Sequence, residues 1–190
     1  MKALVDEVRK DIKAVWFEGR EVVMIDQREL PAKLVIVRFS DYKDVAEAIR
    51  NMTTRGAPSI GATAAYAMCL AAINGCDMDK AASYIKSARP TAYDLFHAVD
   101  WMAESLSRGE DPVKAAEAYA QATVEKCRLI GKYGAELIDN GMKLMTHCNA
   151  GALATVDYGT ALAPMRAAHG SWDRRASITG SSPTGPRRTT

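Results

Sequence analysis

Thr146-His147-Cys148-Asn149-Ala150-Gly151-Ala152-Leu153-Ala154-Thr155 is the stretch on which the reading of this chain turns. The apolar run just before it, Met142 to Met145, reads as a buried strand. The run ends on a histidine and a thiol. Small residues follow, and Tyr158 to Ala168 reads as a helix. A strand that passes through a small-residue loop into a helix is a common place to hold an anion, because the helix start offers unpaired N–H groups and partial positive charge. A cysteine there can have a lowered pKa and real reactivity. Alone, the signal is weak, because a lone thiol after a strand is more often a small core residue.

Outward from this stretch, the chain has the size and composition of a folded protein. Its 190 residues, 48% of them hydrophobic, suffice for one or two domains with a sizeable core. No apolar run reaches membrane-spanning length and the N-terminus lacks a signal-peptide pattern, so the expected location is cytoplasmic, with no membrane partner. Cys69, Cys76, Cys127 and Cys148 form no CxxC pair, and the three histidines show no zinc spacing. Free thiols are expected, and neither a metal nor a cofactor. The net charge is +2, but residues 170–190 carry +3 of it and residues 1–169 carry −1. This is not a nucleic-acid footprint.

Hydrophobic periodicity places the other elements. Met1 to about Lys10 reads as a short helix. Ile12–Phe17, Glu21–Asp26 and Lys33–Phe39 read as three strands of a small antiparallel sheet, with a turn at Glu18-Gly19-Arg20. Five helices are then expected. They run from Asp41 to Met52, Pro58 to Ile73, Asp77 to Ser87, a capping box at Thr91–Asp94 to Ser107, and Asp111-Pro112 to about Asn140 with a bend near Gly131 or Gly134. The second of these carries Gly61, Ala62, Ala64, Ala65 and Ala67, which permit close approach of a neighbour. Residues 1–140 therefore read as an N-terminal sheet plus helical domain. Residues 141–169 read as the first β–α unit of an incomplete Rossmann-like domain, giving an α/β fold overall. Residues 170–190 lack leucine and valine and read as a disordered or out-of-frame tail.

Arg55 and Arg89 each stand just before a helix start, where a bare cation opposes the macrodipole by about 0.3–1 kcal/mol. An anion held between guanidinium and N–H groups reverses that sign, so the pair fits a phosphate site. Projection of both into solvent accounts for them too. Gly56 and Ala57 leave the loop backbone open to a ligand. His147 and Cys148, as neighbours on a strand, would point to opposite faces, which argues against a direct Cys–His pair. His97 reads as structural.

Three segments together resemble one family: Thr53-Thr54-Arg55-Gly56-Ala57-Pro58-Ser59-Ile60-Gly61, Ser87-Ala88-Arg89-Pro90-Thr91-Ala92, and the opening stretch continued into Tyr158-Gly159-Thr160-Ala161. Ile25-Asp26-Gln27-Arg28-Glu29-Leu30-Pro31 is a fourth counterpart. From about Ile12 to His169 the chain resembles the methylthioribose-1-phosphate isomerases, which share a superfamily with ribose-1,5-bisphosphate isomerases and the initiation factor 2B regulatory subunits. The resemblance implies a sugar-phosphate aldose–ketose isomerase of methionine salvage, acting on 5-methylthioribose 1-phosphate as a homodimer. It assigns Arg55, Gly56, Ala57 and Arg89 to substrate binding and Cys148 to catalysis. It also places an aspartate, a glutamine and an Asn–Lys pair in a further part of the α/β domain with no counterpart after His169. A truncation or frame change near Gly170, and impaired activity, are the corresponding expectations. A non-catalytic regulatory subunit related to initiation factor 2B, a ribose-1,5-bisphosphate isomerase, and a helical oligomerisation domain are the rival readings.

Overall fold

The computed structural model describes residues 1–5 and 8–171. Of the tail expected over 170–190, all but the first two residues lie outside this range.

The centre of the molecule is a helix, α2 (Ala57–Ile73), in which thirteen of 17 residues are buried. Its sequence is apolar and small all round, the pattern of a core helix rather than a surface one. Around it pack α1 (Tyr42–Arg50), α3 (Met78–Ser87), α4 (Tyr93–Ser107) and α5 (Pro112–Ala135). The strands β3 (Val15–Glu18) and β4 (Glu21–Ile25) close the remaining side. Gly61 sets the approach of α4: a Cβ there would lie 3.0 Å from the Asp94 carbonyl and 3.1 Å from the Tyr119 hydroxyl.

Helix starts follow the local chemistry. Asp41, Asp77 and Asp111 each accept a hydrogen bond from a first-turn backbone N–H, at 2.8, 3.1 and 2.9 Å. Pro58 and Pro112 occupy first turns. The expected capping box at Thr91 does not form; Ala92 is the cap of α4 and makes no side-chain bond.

The sheet is antiparallel in the order β3-β4-β5, with β5 at Ile36–Phe39 and register pairs Phe17↔Val22 and Met24↔Val37. The central strand β4 hides Val22, Val23, Met24 and Ile25 almost completely, on both faces. The helix expected over Met1–Lys10 is instead a hairpin, β1 (Lys2–Val5) with β2 (Val8–Asp11). Too short to be a stable helix alone, the segment is extended by ladder bonds and by Ile12 N–H donating to Met1 O at 2.7 Å.

The largest departure lies after α5. That helix ends at Ala135, earlier than expected, and Gly131 and Gly134 serve contact: a Cβ at Gly134 would meet Pro164 Cγ at 2.5 Å. They admit α6 (Leu162–Ser171), which lies along α5. The strand expected over Met142–Met145 is absent; Met145 is 92% exposed and no other strand runs beside it among the described residues. A parallel strand requires a hydrogen-bonded neighbour, and here none is supplied. The helix expected from Tyr158 begins four residues later because Tyr158 and Gly159 both have positive φ. Between Met142 and Asn149 Thr146 is buried and Leu144 half-buried while the other six residues are exposed; further on, Val156, Ala163 and Ala168 are buried.

Candidate active site

The loop entering α2 and the turn after Cys148 meet at the end of β4. Gly56 caps α2 with φ +96° and no side-chain bond, so the first N–H groups of that helix have no side-chain cap. A Cβ at Gly56 would overlap the backbone oxygen and Cα of Ala154, in a short 3₁₀ helix, Ala152–Ala154. Only a residue without a side chain fits both the φ and the space.

Gln27 joins these parts. Its N–H donates to Thr53 O at 2.9 Å, and its Nε2 donates to Leu153 O at 2.8 Å. Its carbonyl accepts from Arg55 Nη2 at 3.2 Å. Gln27 is 1% exposed, and its Oε1 has no partner; Arg55 Nε is likewise buried and unpartnered. A buried polar atom left in this way costs about 1–3 kcal/mol, a cost that native proteins tolerate mostly where it serves a purpose. Beside Gln27, Arg28 grips the nearly buried Asp26 through two bonds of 2.9 and 2.6 Å. The Arg28 hydrogen bonds hold the Asp26 carboxyl below its ordinary range, against the opposing effect of burial.

The segment from Cys148 is tied down at its far end. Ala14 N–H donates to Val156 O at 2.8 Å, and Thr160 N–H to Ala150 O at 2.9 Å. Asp157 accepts from the Met1 ammonium at 2.9 Å. Cys127 of α5 lies against this turn; burial pushes its thiol up, partly offset by hydrogen bonding with Thr155 and Gly159.

Arg55, Gly56 and Ala57 thus share one junction with the turn downstream of Cys148. Cys148 is exposed, with φ +70°, and His147 is exposed beside it on a loop, so the alternation of a strand does not separate them. Arg89 is half-buried between α3 and α4, and no hydrogen bond or ion pair links it to Arg55 or Cys148 among the described residues. The two helix starts these arginines precede do adjoin. A cleft of about 260 Å³ is lined by Pro58 of α2, by Tyr93, Asp94, His97 and Trp101 of α4, and by Tyr119 of α5. His97 Nδ1 is 3.1 Å from Tyr119 Oη, and burial, with Asp94 and Tyr93 adding to it, pushes that phenol up to about 12. No His/Cys/Asp/Glu group able to hold a metal is present among the described residues.

Gln27 and the Asp26–Arg28 pair are the residues that motif reasoning placed without a role. Their signal was three consecutive polar residues directly after the buried run Val22–Ile25.

The chain belongs to the Initiation factor 2 subunit family, whose model matches residues 53–184. The match continues past His169, where the sequence reading ended the resemblance. Within the family the chain is 37% identical to the 5-methylthioribose 1-phosphate isomerase of Pyrococcus horikoshii, with a TM-score of 0.77 over 85% of this chain and 50% of that one. It is 34% identical to the translation initiation factor eIF-2B delta subunit of A. fulgidus, with a TM-score of 0.76 over 85% and 52%. A Methanothermobacter thermautotrophicus protein, named provisionally as a methylthioribose-1-phosphate isomerase, is 47% identical over 163 residues, 86% of this chain and 50% of that one. The chain spans about half the length of these relatives.

Proposed function

We propose that this chain is the sugar-phosphate-binding part of an aldose–ketose isomerase that converts 5-methylthioribose 1-phosphate to 5-methylthioribulose 1-phosphate. The observation that carries the reading is the junction of the Arg55-Gly56-Ala57 loop with the turn that follows Cys148. The uncapped start of α2 and the Arg55 guanidinium supply N–H donors and positive charge for a phosphate dianion. Arg89, before the adjoining start of α4, supplies a second cation.

The anomeric oxygen of this substrate is esterified, so opening the ring gives no free aldehyde. The C1–ring-oxygen bond must break and that oxygen take up a proton, the C2 hydroxyl must give up its proton, and the hydrogen on C2 must move to C1. C2 is oxidised to a carbonyl and C1 is reduced, so no external oxidant is required. Cys148 is the acid–base group in this scheme, by way of either an enolate or a hydride shift. We assign the substrate contacts to Arg55, Gly56, Ala57 and Arg89. The same reading makes the protein a cytoplasmic homodimer that engages neither nucleic acid nor membrane; no helix among the described residues is long and apolar enough to cross one.

The test is calorimetric titration of the 190-residue chain with 5-methylthioribose 1-phosphate, followed by a coupled assay of ketose formation. Binding that weakens at least tenfold in Arg55→Ala, about 1.4 kcal/mol, supports the assignment. No binding by the unaltered chain overturns it. Turnover unchanged by Cys148→Ser removes the thiol from the chemistry. The near-equal fold match to the A. fulgidus subunit favours one rival, a non-catalytic regulatory subunit, which predicts binding of initiation factor 2 and no conversion of the sugar phosphate.

A further inference from the structure

We propose that Gln27 is a positioning residue of this site, fixing the turn after Cys148 against the loop that carries Arg55. The proposal rests on the sugar-phosphate reading and adds a residue to it. Three observations converge on Gln27. First, its main chain already belongs to the anion loop: the N–H is bonded to Thr53 O and the carbonyl to Arg55 Nη2. Second, its side chain leaves that loop and donates to Leu153 O, in the other half of the junction. Third, the bond is protected from competition, since Gln27 is almost wholly buried.

The second contact between the halves, Gly56 against Ala154, is steric and carries no direction. The Gln27 amide therefore sets the register of the two loops. Its leftover Oε1 and the leftover Nε–H of Arg55 are a buried acceptor and a buried donor, each without a partner. A residue placed for packing alone has no need of a polar end that stays unpaired. Gln27 holds no ligand in this scheme; it acts through Arg55 and through the turn.

Gln27→Met keeps the length and bulk of the side chain and removes both amide atoms. Binding of 5-methylthioribose 1-phosphate is measured by calorimetry on the full chain for wild type, Gln27→Met, Arg55→Lys and the double variant, with thermal midpoints for all four. Ile85→Val, a fully buried site in α3, is the control for general loss of stability. The expected result is at least a tenfold rise in Kd for Gln27→Met, and under a twofold further rise when the same change is made in Arg55→Lys. Ile85→Val lowers the midpoint and leaves Kd unchanged. A Gln27→Met chain that melts earlier yet binds within twofold of wild type overturns the proposal and leaves the sugar-phosphate reading standing. Independent, additive effects of Gln27 and Arg55 overturn it too. A wild-type chain that binds no sugar phosphate removes the functional reading and this proposal with it.

Discussion

Alanine at position 56 is expected to force apart the Arg55 loop and the Ala152–Ala154 turn. Two costs arise. The backbone there has φ +96°, a conformation that an L side chain adopts at a cost of about 1–3 kcal/mol. The new methyl group would also overlap the backbone of Ala154, which cannot swing away as a side chain end could. Overpacking of that kind adds about 1–3 kcal/mol. Together they amount to roughly 2–6 kcal/mol, a large part of the 5–15 kcal/mol by which native domains are usually stable. Gly19→Ala separates the two terms, because Gly19 also has positive φ, +65°, but has nothing within 4 Å of the added carbon. Urea unfolding of both variants, followed by circular dichroism, gives the comparison. Gly56→Ala is expected to lose about 1–3 kcal/mol more than Gly19→Ala, with unchanged slope. Equal losses in the two variants would refute the contact between Gly56 and Ala154, and with it the junction.

Two further outcomes are expected. The Asp26 carboxyl is held below its ordinary value by Arg28, so its contribution to stability is present above about pH 4 and is lost as pH falls through its folded-state pKa; Asp26→Asn should remove that acid loss, seen as a flatter thermal midpoint below pH 4. In timed alkylation at pH 8 with peptide mass mapping, Cys148, which is exposed, should label first. Cys69, buried with its thiol pushed up to about 12, should label only on unfolding.

Much of the architecture can be read directly from residue order. Asp41, Asp77 and Asp111 announce their helices, because a carboxylate before an amphipathic run satisfies N–H groups that nothing else reaches. The all-apolar Val22–Ile25 announces a central strand. What fails is what depends on distant neighbours. Met142–Met145 has the composition of a buried strand, but a strand forms only beside a partner, and composition does not supply one. Leu4, Val5 and Val8 suit one face of a helix or a pair of antiparallel strands equally well, and the register Val5↔Val8 decides it. Gly131 and Gly134 look like places to bend, and their use became visible only with Pro164 beside them. The same holds for the candidate site. The loop at Arg55-Gly56-Ala57 before a helix start is visible in the sequence, whereas the link from Gln27 to Leu153 spans 126 positions and leaves no local trace.

The small-residue composition of α2 has a consequence for the loop at its head. A helix buried on every side by four others and two strands has no free direction in which to shift. Its first turn is therefore a fixed datum, and the anion of the proposed reading would meet dipoles already in place, with little reorganisation to undergo on arrival. On the proposed reading, stiffness in the scaffold would become selectivity at the mouth: an anion a fraction of an ångström too large would have to displace the loops around the helix rather than the helix itself.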